Sequence, residues 1–157
     1  MQSLNCNKPG LEILLSFNKD DCHLAEALRA SLFILEPNPD VMDIILSPAC
    51  YGALQFEETI ANGVREADRF LLLVGPRGVG KWQEIEYKFA FARRCQESSF
   101  DVIPVLAANG GRPSIETMRD LNWIEMPIVT DRRAVRWIRE ALGAARSDIS
   151  RALNSSD

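Results

Sequence analysis

Histidine occurs once in this chain, as His23, and the four cysteines (Cys6, Cys22, Cys50, Cys95) form no C-x-x-C pair. A zinc site is therefore not expected, and neither is a disulfide framework. No apolar run approaches the length of a membrane span, and no signal-peptide pattern opens the chain. The expectation is a cytoplasmic protein with reduced thiols and no membrane partner. Basic excess is lacking as well. Eighteen Lys and Arg face 22 Asp and Glu, for a net charge of −4, which argues against a nucleic-acid-binding surface. Internal repeats and low-complexity segments are absent too.

What is present is ordinary globular composition in 157 residues, 46% of them hydrophobic, enough for one domain. Apolar runs alternate with helical patterns. Leu11–Phe17 reads as a strand and is followed by a helix burying Leu24, Ala27, Leu28 and Leu32. Val41–Leu46 reads as a second strand, Pro48–Gln55 as a loop, and Phe56–Ala67 as a helix. Phe70–Val74 is a continuous apolar run, as expected of a strand buried on both faces. A helix follows, with Ile85, Phe89, Ala92 and Cys95 on one face. Phe100–Leu106 is a fourth strand, Pro113–Leu121 holds a short helix started by Ser114, and Asn122–Met126 is a weak fifth strand. Asp131 caps a last helix carrying Val135, Ile138, Ala141 and Leu142. Trp123 and Trp137 read as packing residues. Residues 1–9 and 146–157 are expected to be loose ends, or remnants of a longer chain.

Such alternation implies an α/β fold: a doubly wound five-stranded parallel sheet, order 2-1-3-4-5, with helices on both faces. Ligands in that fold bind at the carboxyl ends of the strands, where the order reverses between strands 1 and 3. The segments following those strands are Phe17–Lys19 and Gly75–Trp82.

Two chemistries compete for the glycine-rich segment. Gly75 and Gly80-Lys81 satisfy all but the last position of the phosphate-binding pattern G-x-x-x-x-G-K-S/T. Trp82 stands where a hydroxyl must ligate Mg²⁺, and no later strand ends in a second metal-anchoring Asp. The other reading uses Trp82 and Glu86. Four residues apart at a helix start, they share a face, an indole near a carboxylate that the helix dipole is expected to keep ionised. That pairing suits a ligand that is partly a cationic aromatic ring and partly a ribose diol. The bland alternative is a core-capping Trp and a solvated Glu.

The segments ILLSFNKDD, FEETIANGVREADRFLLLVGP, GPRGVGKWQEIEYKFAFARR, VIPVLAANGG and LNWIEM together resemble a Toll/interleukin-1 receptor (TIR) domain of bacterial type, over about residues 10–145. The resemblance implies a flavodoxin-like fold. It also implies cleavage of the nicotinamide–ribose bond of NAD⁺, which is a substrate here and not a cofactor. By position, Glu86 matches the catalytic glutamate and Trp82 the aromatic before it. Phe17, Asn18 and Lys19 match the segment bordering the nicotinamide pocket, and Phe56 the aromatic opening the second helix. Pro48, Tyr51 and Leu54 fall in the loop that covers the site and mediates assembly. Leu46-Ser47-Pro48 departs from the family pattern, where many members carry an aromatic residue and an Asp. The implied role is the effector domain of a bacterial immune or antiphage protein, driven by self-association and by a sensor domain or partner protein. A non-catalytic TIR–TIR interaction module, or a mimic of host signalling, is the alternative. ADP-ribose and a cyclic form both remain open as products.

Overall fold

The computed structural model describes residues 10–47 and 57–143. Pro48, Tyr51, Leu54 and Phe56, expected to cover or line the site, lie outside the described residues, as do both ends of the chain. Strand β1 (Leu11–Ser16) leads through a 3-10 turn (Lys19–Asp21) into α1 (Cys22–Leu35). Then come β2 (Met42–Leu46), α2 (Glu57–Glu66), β3 (Arg69–Val74), α3 (Lys81–Gln96), β4 (Asp101–Ala107), α4 (Glu116–Arg119), β5 (Ile124–Met126) and α5 (Arg132–Gly143). All strand pairs are parallel, in the order β2-β1-β3-β4-β5. The expected flavodoxin-like order is therefore observed.

Side-chain alternation splits the interior into two cores. Ile13, Leu15, Leu71, Leu73, Ile103 and Val105 face α1 and α5. Leu14, Phe70, Leu72, Val74, Val102 and Leu106 face the opposite layer, with Val64 of α2 and Tyr87 and Ala90 of α3. Every residue of β3 is buried, because this strand lies in the middle of the sheet with a helix layer on each face. Pro104 is tolerated inside β4 because β5 begins pairing only at Val105. On that side Pro104 lies at an unpaired edge, where its missing N–H costs nothing.

Several boundaries shift by one or two residues: β1 ends at Ser16, and β4 extends to Ala107. Three expectations need correction. Helix α4 is capped at Ile115 and not started by Ser114. Trp137 is 57% exposed, whereas Trp123 does pack, its indole N–H donating to the Met118 carbonyl at 2.8 Å. The buried face of α3 is Gln83, Glu86, Tyr87 and Ala90, while Ala92 and Cys95 are exposed. Helix α3 carries apolar residues around most of its circumference, so periodicity alone does not select a face. The carboxyl ends of β1 and β2 do, by supplying polar partners. His23 is exposed near the start of α1, and Asp131 does cap α5, accepting from the Arg133 amide at 2.9 Å.

Candidate active site at the carboxyl ends of β1 and β2

The site is assembled around the junction of β3 with α3. Gly75 follows β3 so closely against the 3-10 turn that a Cβ there would lie 2.8 Å from both Asp21 Oδ2 and Leu24 Cδ1. Gly78 adopts φ = 73°, a conformation that side chains disfavour. Gly80 sits in extended backbone as the N-cap of α3. Its N–H donates to Gln83 Oε1 at 3.0 Å, one half of a capping box. The Gln83 amide then reaches into the sheet. Its Nε2 donates to the Leu73 carbonyl at 2.7 Å and to the Ser16 carbonyl at 3.2 Å. One buried side chain thus ties the start of α3 to the ends of β1 and β3.

Glu86 lies one turn further along α3 and is only 2% exposed. Ser16 Oγ, at the end of β1, donates to Glu86 Oε1 at 2.8 Å. Ser47 Oγ, just past β2, donates to Glu86 Oε2. Burial pushes the Glu86 carboxyl up to about 7, while the bonds from Ser47 and then Ser16 pull it in the other direction. This corrects the expectation that the helix dipole keeps Glu86 ionised. The dipole acts within the first turn, whereas Glu86 is the sixth residue of α3 and is desolvated.

The other expected site residues are placed unevenly. Trp82 is half-buried, with Lys81 Nζ 5.8 Å from its ring centroid, and Lys81 itself is exposed. Asn18 is a strut. Its Oδ1 accepts from the Asp20 amide at 3.0 Å, and its Nδ2 donates to the carbonyls of Arg77 at 3.2 Å and Gly78 at 3.4 Å. Lys19 is exposed beside it. Phe17 is taken up by the core on the α1 side of the sheet, whereas Glu86 belongs to α3 on the other side.

The phosphate-loop reading meets a physical obstacle. A cradle needs free amide N–H groups, yet those of Arg77, Gly78 and Gly80 donate to Asp21 Oδ2, the Gly75 carbonyl and Gln83 Oε1. A carboxylate already sits on the first of these. Among the described residues no group of three or more His, Cys, Asp or Glu could hold a metal, and no helix is long and apolar enough to cross a membrane.

Sequence reasoning missed Ser16, Ser47 and Gln83. A usable signal was present for the serines. Each is a polar residue closing an apolar strand at the end of the sheet where this topology binds ligands.

A sequence model of the family described as TIR domain matches residues 13–134. No curated protein matches the chain.

Proposed function

The chain belongs to the TIR domain family, and from that premise we propose that it is an NAD⁺ glycohydrolase whose catalytic carboxylate is Glu86. The observation that carries this reading is one buried carboxyl held beside the topological switch, at the carboxyl ends of β1 and β2, by a hydroxyl from each. One carboxylate suffices for this reaction. Ordinary glycosides need an acid to protonate the leaving oxygen. In NAD⁺ the nicotinamide is already cationic: the C–N bonding pair moves onto its ring nitrogen, and it departs neutral. The ribose left behind has oxocarbenium character, which an ionised Glu86 stabilises through charge and through bonds to the ribose hydroxyls. Water then adds to the anomeric carbon and releases a proton, giving ADP-ribose. Trp82 supplies a flat apolar wall, and the exposed cations Lys19 and Lys81 attract the pyrophosphate.

The resting arrangement is closed, with Glu86 buried and both of its oxygens taken. That suits a bacterial immune effector that is silent alone and switched on by self-association or by a sensor domain or partner. An exposed surface supports such contacts: Arg132 and Arg136 line both a hollow along α5 that holds Trp137 and a second hollow between α1 and α5 that holds Ile34 (79% exposed). The same surface favours the second reading, a non-catalytic TIR–TIR contact module.

Nicotinamide release from NAD⁺ separates the two, measured on the chain alone and clustered on a scaffold, beside Glu86→Ala. The glycohydrolase reading expects release on clustering and a loss of about 10²–10³-fold in Glu86→Ala. No release from clustered wild type would leave the contact module.

A further inference from the structure

The two hydroxyls on Glu86 come from strands placed differently in the sheet. Ser16 closes β1, which is paired on both sides, with β2 and with β3. Its own carbonyl is also fixed by Gln83 Nε2 at 3.2 Å. Ser47 follows β2, which among the described residues is an edge strand paired with β1. The Ser47 amide donates to the Leu15 carbonyl at 2.9 Å, and its hydroxyl takes the second carboxylate oxygen. Strand ends at a sheet edge open at lower cost than the middle of a sheet.

The pattern of donation matters as much as where it comes from. Two hydroxyls give one hydrogen bond to each oxygen of a single carboxyl group. One hydroxyl of a ribose diol would donate to a carboxylate oxygen in the same way as either serine does. Among the described residues each carboxylate oxygen thus accepts from a serine the kind of bond that such a ligand would donate.

We propose that Ser47 is a latch: in the resting domain its hydroxyl occupies the Glu86 oxygen that a diol-bearing ligand takes, while Ser16 is a positioning residue that stays on the other oxygen throughout. The proposal rests on the glycohydrolase reading for the identity of the ligand, though not for the asymmetry of the two serines. No covalent step is involved. One hydrogen bond from Ser47 is exchanged for one from the ligand. Removing the Ser47 hydroxyl leaves a buried oxygen unpaired only in the resting form, because the ligand supplies the missing bond in the bound form. The balance then shifts toward binding. Removing the Ser16 hydroxyl takes a bond from both forms and leaves Glu86 free to turn.

Two chemically identical substitutions should therefore act in opposite directions. Nicotinamide release is compared for wild type, Ser47→Ala and Ser16→Ala at the same sub-saturating density on one scaffold. An assay at about pH 9 keeps the carboxyl ionised even where the loss of a hydroxyl bond raises it further. The expected result is a rise of roughly 2- to 10-fold for Ser47→Ala and a fall of similar size for Ser16→Ala, the range that one net hydrogen bond supports. If wild type releases nicotinamide and both variants release less, the latch is wrong and the glycohydrolase reading stands. Amide hydrogen exchange supplies a test that needs no activity. The Ser47 amide is expected to exchange at least about tenfold faster than that of Ser16. If no protein releases nicotinamide even when clustered, the glycohydrolase reading fails. Fast exchange at Ser47 then upholds the latch for a different diol, and exchange as slow as at Ser16 overturns it.

Discussion

Two buried charge-bearing side chains sit at opposite ends of the same sheet, and they are satisfied in different ways. At the amino end of β3, Arg69 donates from Nε to the Leu142 carbonyl at 3.1 Å, and from Nη1 to the carbonyls of Asp68 at 2.8 Å and Ser99 at 3.3 Å. These three acceptors are main-chain oxygens, from α5, from the residue before β3 and from the segment before β4, so they move only if the fold moves. At the carboxyl end, Glu86 is held by the side-chain hydroxyls of Ser16 and Ser47. A hydroxyl rotates, and a ligand can replace it. Arg69 therefore stitches α5 and the segment before β4 to the sheet, whereas Glu86 is kept in a state that can be exchanged. A buried ionisable group is a candidate for chemistry when its partners can leave.

The contrast can be broken by experiment, beginning at the scaffold end. Arg69→Met should cost about 4 kcal/mol in urea unfolding, because it strands the buried Leu142 carbonyl and the part-buried carbonyls of Asp68 and Ser99. The cost should be the same at about pH 5 and about pH 8, since Arg stays charged throughout. A loss under about 1 kcal/mol would mean that Arg69 is not a scaffold element.

Glu86→Gln should act in the other direction, and only at higher pH. Folded Glu86 titrates near 7 against an ordinary value of 4.5. Between those values the folded state keeps a proton that the unfolded chain gives up. The resulting stability is fully present below about pH 4.5 and is lost as pH rises through about 7. Glutamine does not titrate, so the variant should gain up to about 3 kcal/mol on wild type at about pH 8 and nothing at about pH 4. Stabilities running parallel across pH would show that Glu86 is not desolvated.

Gln83→Leu, which removes the tie between the loop, β1 and β3, should cost about 2 kcal/mol and lower nicotinamide release as well. Unchanged release would separate the tie from the chemistry. The smallest effect is in wild type itself: nicotinamide release should rise about tenfold between about pH 6 and pH 8 as Glu86 ionises. A flat profile would detach the reaction from this carboxyl.

Much of this architecture was legible in the chain. Strands buried on both faces appear as unbroken apolar runs, and β3 is the clearest. Strand–helix alternation then allows few sheet orders, and the observed order is the expected one. Glu86 was legible because its spacing from Trp82 is local. Its partners were less so: Ser16 and Ser47 meet Glu86 only through strand register, 70 and 39 residues away along the chain. A serine closing an apolar run looks like a stop signal until the sheet is built. The charge state of Glu86 was misjudged for a related reason. The dipole can be inferred from helix position, but desolvation depends on what the fold brings around the group. Phe17 was placed by sequence near the site, yet strand alternation turns its side chain to the α1 side of the sheet.

The bond from Gln83 Nε2 to the Leu73 carbonyl has a consequence for how this domain fails. It suspends the proposed site from the fully buried strand, so local opening of a surface loop does not dismantle it. Heat inactivation and melting should then be one cooperative event with one midpoint. Under the proposed function, activity lost below that temperature would trace to the association of domains and not to decay of the site within each of them.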